Sequence, residues 1–269
     1  MPLPSLTSPP HFATAAMGTR FELVIEEAAV PREEWSAIAE AALDTIESCH
    51  RRLTRFASDS LVSHIARTAH LAPVRLDADT FALFEDALAV WRASGGAFDI
   101  TVASAMDGTG DAFKSAMAAI VLDPVDRTIR CARPLTLDLG GIGKGHALDL
   151  AARELRGHGV TAALLHGGTS SAIAIGTPPG DDGWRVALGT FDDAPVVSLR
   201  DDALSVSAMM APDGVAHVVD PAGGGRTHEE RTAAVVGPSA RLADAWSTAL
   251  LLLGRRPAAL TDEWRIWLL

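Results

Sequence analysis

The chain has few residues that could bind a metal through sulfur or bind nucleic acid through positive charge. Its two cysteines, Cys49 and Cys131, lie far apart and form no CxxC pair, which argues against a disulfide scaffold and a thiolate metal site. Lys and Arg number 23 against 34 Asp and Glu, so the net charge is −11, and no basic run occurs. Because nucleic acids are bound by clustered Lys and Arg, we expect no nucleic-acid partner.

Long apolar runs and targeting signals are lacking as well. No apolar run reaches about 18 residues, the length that a membrane-spanning helix needs, so the sequence predicts no membrane span. Residues 1–18 contain neither a basic region nor an apolar core of signal-peptide length. We therefore expect a cytoplasmic protein as the chain is given, or an exported one if a leader has been removed.

The hydrophobic periodicity predicts both strands and helices. Residues 19–26 alternate apolar and polar side chains, the pattern of a half-buried strand. Residues 35–53 place their apolar side chains on one face of a helix. A second helix is predicted from about Asp79, as its N-cap, to Ser94.

Short apolar runs dominate the rest of the chain from about Ala118 onward. We predict strands in most of these runs, including residues 135–139 and 216–220. Helices are predicted at about 144–156 and 240–253. Because strands and helices do not alternate strictly, the pattern favours an α+β fold, and because no linker interrupts it we predict a single domain over residues 1–269.

The segment LDLGGIGKGHALD, residues 137–149, is rich in glycine and carries one lysine. It lacks the first glycine and the final Ser or Thr of a P-loop, and its GxGxG spacing differs from the GxGxxG of a dinucleotide-binding fold. What remains is a turn that places Lys144 in the first turn of a helix, where free N–H groups and the helix dipole favour an anion. A tight connection with a solvated lysine explains this segment equally well.

Three further places combine residues that could bind a ligand. Asp244 and Thr248 lie one helical turn apart, so a carboxylate and a hydroxyl on one exposed helix face could bind a hard cation; the alternative is a favourable helix start and a local hydrogen bond. His217 and Asp220 fall at the end of a predicted strand, and Asp99 follows a Gly-Gly pair. Each of these could face a ligand. The alternatives are a strand histidine whose partner is a neighbouring residue, a turn-initiating Asp220 and an Asp99 that caps a local turn.

Seven segments, taken in order, resemble the ApbE family of FAD:protein FMN transferases. They are MGTRFEL (17–23), TRFASDS (54–60), GGAFDITV (95–102), LDLGGIGKGHALD (137–149), LHGGTSSAIAIG (165–176), HVVDPAGG (217–224) and ADAWSTAL (243–250). The resemblance implies an α+β fold related to the T-fold, with a mixed or antiparallel sheet and flanking helices. It also implies that FAD is the substrate and Mg²⁺ the cofactor, that FMN is transferred to a Thr or Ser hydroxyl of an acceptor flavoprotein subunit, and that AMP is released.

The resemblance assigns roles to individual residues. Asp244, Thr248 and the carbonyl of Gly143 would bind the metal, and Lys144 would neutralise phosphate charge. His217 would be the general base that deprotonates the acceptor hydroxyl, a role that suits a pKa near neutrality. The remaining cofactor contacts that the resemblance implies are Met17, Phe56, Ser60, Asp99 and Asp220.

The sequence departs from the family pattern at several of these segments. Residues 206–208 read VSA where members commonly have TSG, and residues 167–169 read GGT in place of GGD. Leu61 replaces an acidic residue, and Phe56 replaces a common Tyr, which removes a hydroxyl but keeps a ring that could stack on FAD. Two alternatives to transfer therefore stay open: hydrolysis of FAD to FMN and AMP, and binding of FAD without catalysis.

Overall fold

A computed structural model describes residues 10–102, 115–189, 193–209, 221 and 231–269. Five α-helices lie in these parts of the chain: α1 Trp35–Leu53, α2 Leu61–Thr68, α3 Ala78–Ala93, α4 Gly143–Gly157 and α5 Ala240–Leu253. The strands there are β1 His11–Ala16, β2 Thr19–Ala28, β3 Val74–Arg75, β4 Ile120–Asp123, β5 Thr128–Cys131, β6 Val160–Gly167, β7 Ser171–Ile175, β8 Trp184–Ala187, β9 Val196–Leu199, β10 Ala203–Ala208, β11 Thr232–Gly237 and β12 Arg265–Leu268. Short 3₁₀ turns occupy Arg32–Glu34 and Met117–Ala119.

The largest sheet has seven strands in the order β1-β2-β6-β7-β10-β11-β12. A three-stranded sheet, β3-β5-β4, and the β8-β9 hairpin complete the described sheets. Every strand pair in them is antiparallel. The α+β prediction is confirmed, and the sheet is antiparallel rather than mixed.

The seven-stranded sheet is covered on both faces, which explains why consecutive residues of its central strand β7 are buried. On one face Phe21, Leu23 and Ile25 are fully buried in the same core as the apolar side chains of α1, α4 and α5. On the other face Ala172 and Leu204 join a smaller core with residues of the β8-β9 hairpin. Burying apolar area at about 25 cal/mol per Å² is what holds these layers together.

The predicted helix starts are correct to within two residues, but one cap is wrong. Asp77, not Asp79, caps α3, because its carboxylate accepts a hydrogen bond from the Thr80 backbone N–H at 3.0 Å. Asp79 lies in the first turn and forms a 2.6 Å ion pair with Arg153 of α4. Both aspartates suit a helix N-terminus, and only the backbone geometry distinguishes their roles.

The sequence pattern missed β1, β3 and α2, and one of its predicted strands is absent from the described residues. Strand β1 was not predicted; it joins β2 through a two-residue turn in which Met17 and Gly18 both have positive φ, 50° and 73°, the geometry of a type I′ hairpin. The predicted strand at residues 135–139 is wrong: the segment is a connector without ladder pairing whose alternate leucines are buried. The predicted strand at residues 216–220 lies outside the described residues.

No helix in the described parts of the chain is both long and apolar enough to cross a membrane. The longest, α1, has charged and polar side chains on its outer face.

Candidate functional site

The first turn of α4 packs against the N-terminal part of α5, where Asp244 lies. The Gly145 backbone N–H donates to one carboxylate oxygen of Asp244 at 3.0 Å, and the Lys144 ammonium lies 3.6 Å from the other. Asp244 is only 3% exposed. The expectation that it lies on an exposed helix face is therefore wrong, and its negative charge is held in a poorly solvated place where a cation is strongly favoured.

A chain of four contacting hydroxyl groups begins at this carboxylate. Ser205 Oγ, from β10, donates to Asp244 Oδ1 at 3.1 Å and lies 3.0 Å from Ser247 Oγ of α5. Ser207 Oγ lies 2.8 Å from Ser247 Oγ and 3.5 Å from Thr248 Oγ1. Oxygen atoms of this kind beside one carboxylate are what hard divalent cations prefer.

The geometry shows the local hydrogen bond of Thr248, and its metal-binding role stays a prediction. Its hydroxyl donates to the backbone carbonyl of Asp244 at 3.3 Å, the local helix bond expected of a threonine. That bond uses its hydrogen and leaves the oxygen lone pairs free to bind a cation. In the described parts of the chain no three His, Cys, Asp or Glu side chains cluster as a metal site, so a metal here would depend on hydroxyl and backbone oxygens beside Asp244.

The glycines of the segment 137–149 serve close packing more than ligand approach. A Cβ at Gly145 would lie 2.0 Å from the backbone carbonyl oxygen of Ala240, and one at Gly141 would lie 3.1 Å from Thr248 Oγ1. Gly143 has more room, with Leu139 Cβ at 4.0 Å. Two glycines therefore allow α4 and its preceding turn to approach α5, and this approach brings Lys144 to Asp244.

The structure places the other predicted cofactor contacts in different environments. Phe56 is 83% exposed, whereas Ser60 is 3% exposed and its Oγ caps α2 by accepting the Ser63 N–H. Asp99 is buried: Oδ1 accepts two bonds from Thr101, and among the described residues Oδ2 has no hydrogen-bond partner. The roles of these residues toward a cofactor stay predictions, as do those of His217 and Asp220, which lie outside the described residues.

Met17 belongs to the same end of the sheet as the hydroxyl cluster. Its turn adjoins the β6-β7 turn, since the Gly168 N–H donates to the Arg20 carbonyl at 2.8 Å. The β6-β7 turn in turn adjoins β10, since the Val206 N–H donates to the Ser170 carbonyl at 2.7 Å. A groove of about 670 Å³ lies beside Met17, lined by residues 13–20 and His50.

Sequence reasoning missed Ser205, Ser247 and the residues that brace α4. Ser205 and Ser207 occupy alternate positions of one strand, so they share a face, and that spacing was the available signal. Asp149 accepts bonds from the Ala240 and Arg241 backbone N–H groups at 2.8 and 3.0 Å. An aspartate at the end of the glycine-rich segment thus caps α5 from a neighbouring helix.

His146 is a buried histidine between α4 and α5. It is 2% exposed, and its Nδ1 lies 3.4 Å from the Arg241 guanidinium, which also pairs with Asp86 at 2.6 Å. Burial, helped by the charge of Arg241, lowers the pKa of His146 to about 4. The imidazole is therefore neutral at pH 7 and accepts rather than donates toward Arg241.

We expect His146 to make the protein less stable as the pH falls. The unfolded chain takes up this proton near pH 6.5 while the native state does not do so until about pH 4. Stability contributed by the neutral imidazole is thus complete well above pH 6.5 and decreases as the pH falls, by about 1.5 kcal/mol between pH 6.5 and 5. Urea unfolding of the wild type and of His146→Gln at both pH values measures this difference.

The control for this prediction is His158→Gln, which removes an exposed histidine at the end of the same helix. The control variant should keep the pH dependence of the wild type. Equal pH slopes for the wild type and His146→Gln would show that His146 is not the group responsible.

Comparisons of the sequence and of the structure with known proteins point to the same family. The model of the ApbE family matches residues 17–263. FAD:protein FMN transferases of Treponema pallidum and Salmonella typhimurium are 28% and 27% identical, over 83% and 77% of this chain and 73% and 68% of their own.

Solved structures agree in fold. The ApbE protein of Thermotoga maritima superposes with a TM-score of 0.80 at 22% identity, covering 92% of this chain and 87% of its own. Flavin transferase ApbE of Vibrio cholerae gives 0.75 at 20% identity and 97% of both chains. Because the family model spans nearly the whole sequence, the chain belongs to the ApbE family.

Proposed function

We propose that this protein is a Mg²⁺-dependent FAD:protein FMN transferase, which cleaves the pyrophosphate of FAD and transfers FMN to a Thr or Ser hydroxyl of an acceptor protein with release of AMP. The observation that carries the proposal is the buried Asp244 carboxylate, with hydroxyls around it and Lys144 beside it at a helix N-terminus. The names of the relatives support the transfer of FMN from FAD to a protein.

The donor set fits a hard cation. Asp244 supplies a buried charge, Thr248 supplies lone pairs, and the Gly143 carbonyl belongs to the turn that packs against them. Bound there, Mg²⁺ would act as a Lewis acid on a pyrophosphate oxygen. The protein also supplies Lys144, whose ammonium would neutralise phosphate charge together with the N-terminal dipole of α4.

The transfer step requires little covalent chemistry from the protein. The acceptor oxygen attacks the phosphorus of the FMN half, the bond from that phosphorus to the bridging oxygen breaks, and the bridging oxygen leaves with AMP. The proton of the acceptor hydroxyl passes to a base, for which we propose His217. Such a reaction depends mainly on positioning and charge neutralisation, so one acidic protein can perform it with a single metal and a single lysine near the phosphates.

The flavin and adenine ends of FAD need contacts of other kinds. Phe56 presents an exposed ring suited to stacking, and Met17 lies beside the groove at the sheet end. The buried Asp99 carboxylate has an oxygen without a hydrogen-bond partner among the described residues, which a cofactor donor group could satisfy. Ser60 and Asp220 complete the set of residues that we propose contact FAD.

Incubation of the purified protein with FAD, Mg²⁺ and a Thr-containing acceptor peptide tests the proposal directly. We expect AMP in the supernatant and a peptide whose mass increases by FMN, and we expect EDTA to abolish both. AMP with free FMN and no modified peptide would instead identify an FAD pyrophosphatase. Binding of FAD without AMP release would refute an enzymatic function.

A further inference from the structure

The exposed aromatic ring of Phe56 is held from one side by Arg55. The Arg55 guanidinium carbon lies 4.4 Å from the centre of the ring, a distance at which a cation is attracted to the π face. Phe56 is nevertheless 83% exposed. One face of the ring is therefore supported while most of its surface stays accessible to a planar ligand group.

Arg55 also reaches the glycine-rich segment. Its Nε lies 3.0 Å from Asp138 Oδ2, and both side chains are about three-quarters buried, at 22% and 27% exposure. The two residues are far apart in sequence, since Arg55 follows α1 and Asp138 precedes α4. An ion pair that is this well shielded is screened less by salt than the exposed pairs of the surface.

Asp138 continues the connection toward Lys144. Its second oxygen, Oδ1, accepts the Gly140 backbone N–H at 2.8 Å, and the Gly140 carbonyl accepts from the Lys144 ammonium at 3.4 Å. Lys144 lies 3.6 Å from Asp244. An unbroken series of contacts thus joins the exposed ring of Phe56 to the carboxylate of the candidate metal site.

We propose that Arg55 and Asp138 are positioning residues that couple stacking on Phe56 to phosphate binding at Lys144. The inference rests on the proposed function, in which FAD places a planar ring and two phosphates in one site. Arg55 orients the Phe56 ring, and Asp138 orients the turn that carries Lys144. A ligand that stacks on Phe56 therefore finds Lys144 already positioned for its phosphates. Preorganisation of this kind raises affinity because less freedom is lost on binding.

A double-mutant cycle on FAD affinity tests the coupling. Phe56→Leu removes the ring, and Asp138→Asn removes the charge opposite Arg55 but keeps an oxygen that accepts from Gly140. We expect Phe56→Leu to raise the Kd for FAD roughly tenfold in the wild type and only about threefold in the Asp138→Asn background. Flavin fluorescence gives the Kd. Equal factors in both backgrounds would overturn the proposal.

Two further variants separate positioning from charge. Arg55→Met should raise the Kd for FAD as much as Asp138→Asn does. Arg55→Lys should recover only part of the wild-type affinity, because an ammonium lacks the planar face that lies on Phe56. Full restoration by lysine would show that charge alone matters and would refute the positioning role. Arg153→Met, which breaks an exposed ion pair with Asp79, is the matched control and should leave the Kd unchanged.

A measurement without ligand keeps this inference independent of the proposed function. Arg55→Met should accelerate amide hydrogen exchange of residues 139–145 in the ligand-free protein, whereas Arg153→Met should not. If the wild type fails to bind FAD, the proposed function is wrong, and hydrogen exchange alone then tests the connection between Arg55 and the Lys144 turn. Unchanged exchange in Arg55→Met would then overturn the connection to Lys144.

Discussion

Asp244→Asn is expected to lower Mg²⁺-dependent AMP release from FAD by at least about 100-fold, because a bound metal contributes several kcal/mol to such a reaction and each 1.36 kcal/mol is a factor of ten. Asparagine keeps the size of the side chain and one oxygen that can accept from Gly145 or Ser205. It removes the charge that balances a cation in a poorly solvated place. Initial rates of AMP formation at increasing Mg²⁺ measure the loss.

The burial of Asp244 decides the choice of substitution. Alanine would leave the Gly145 N–H unsatisfied in the interior, at a cost of about 1–3 kcal/mol, and would remove one of the two partners of the Ser205 hydroxyl. A loss of activity could then reflect unfolding. Asp202→Asn, which breaks an exposed pair with Arg265, is the control and should keep full activity. Turnover of Asp244→Asn within threefold of the wild type at equal Mg²⁺ would show that Asp244 does not bind the metal.

Gly145→Ala is expected to cause the largest loss of stability among single methyl additions to α4. The added Cβ would lie 2.0 Å from the Ala240 carbonyl oxygen and 2.8 Å from Arg241 Cα, so α4 and α5 must separate. Overpacking of this kind costs typically about 1–3 kcal/mol and sometimes more. Separation of the helices also lengthens the Gly145 N–H bond to Asp244, so activity should fall together with stability. Urea unfolding measures the change in free energy.

Gly157→Ala provides the matched control in the same helix. A Cβ at Gly157 meets no atom within 4 Å, so the substitution should be neutral or stabilise the protein by up to about 1 kcal/mol through helix propensity. Equal stability of Gly145→Ala and Gly157→Ala would show that α4 and α5 do not approach each other closely at Gly145.

Much of the fold could be predicted from local pattern. The strand at residues 19–28 and the helices at residues 35–53, 143–157 and 240–253 follow from their periodicity, because burial of one face imposes a period of two on strands and 3.6 on helices. The strand prediction at residues 135–139 was wrong because the segment is a connector whose alternate leucines are buried but which forms no hydrogen bonds of a β-sheet. Alternation reports burial of one side, and hydrogen-bond pairing is a separate condition.

The sequence selected the members of the candidate site, whose roles stay predictions, and it did not reveal their environment. Lys144 and Asp244 were chosen from separate segments, and the structure brings them within 3.6 Å. The alternate spacing of Ser205 and Ser207 shows that they share a strand face, but only the tertiary structure shows that this face meets Ser247 and Asp244 of α5. The roles of His217 and Asp220 stay predictions, because both lie outside the described residues.

The sequence by itself determined the α+β class, the family resemblance and the choice of Lys144, Asp244 and Thr248, since each rests on local spacing or on ordered motifs. Only the tertiary structure decided that Asp244 is buried, that Gly145 serves helix contact, and that Arg55 connects Phe56 to the Lys144 turn. The physical reason is that burial, close approach and ion pairing depend on residues tens to a hundred positions apart. A local pattern predicts which side chains can face inward, whereas only the tertiary packing determines which residues they contact.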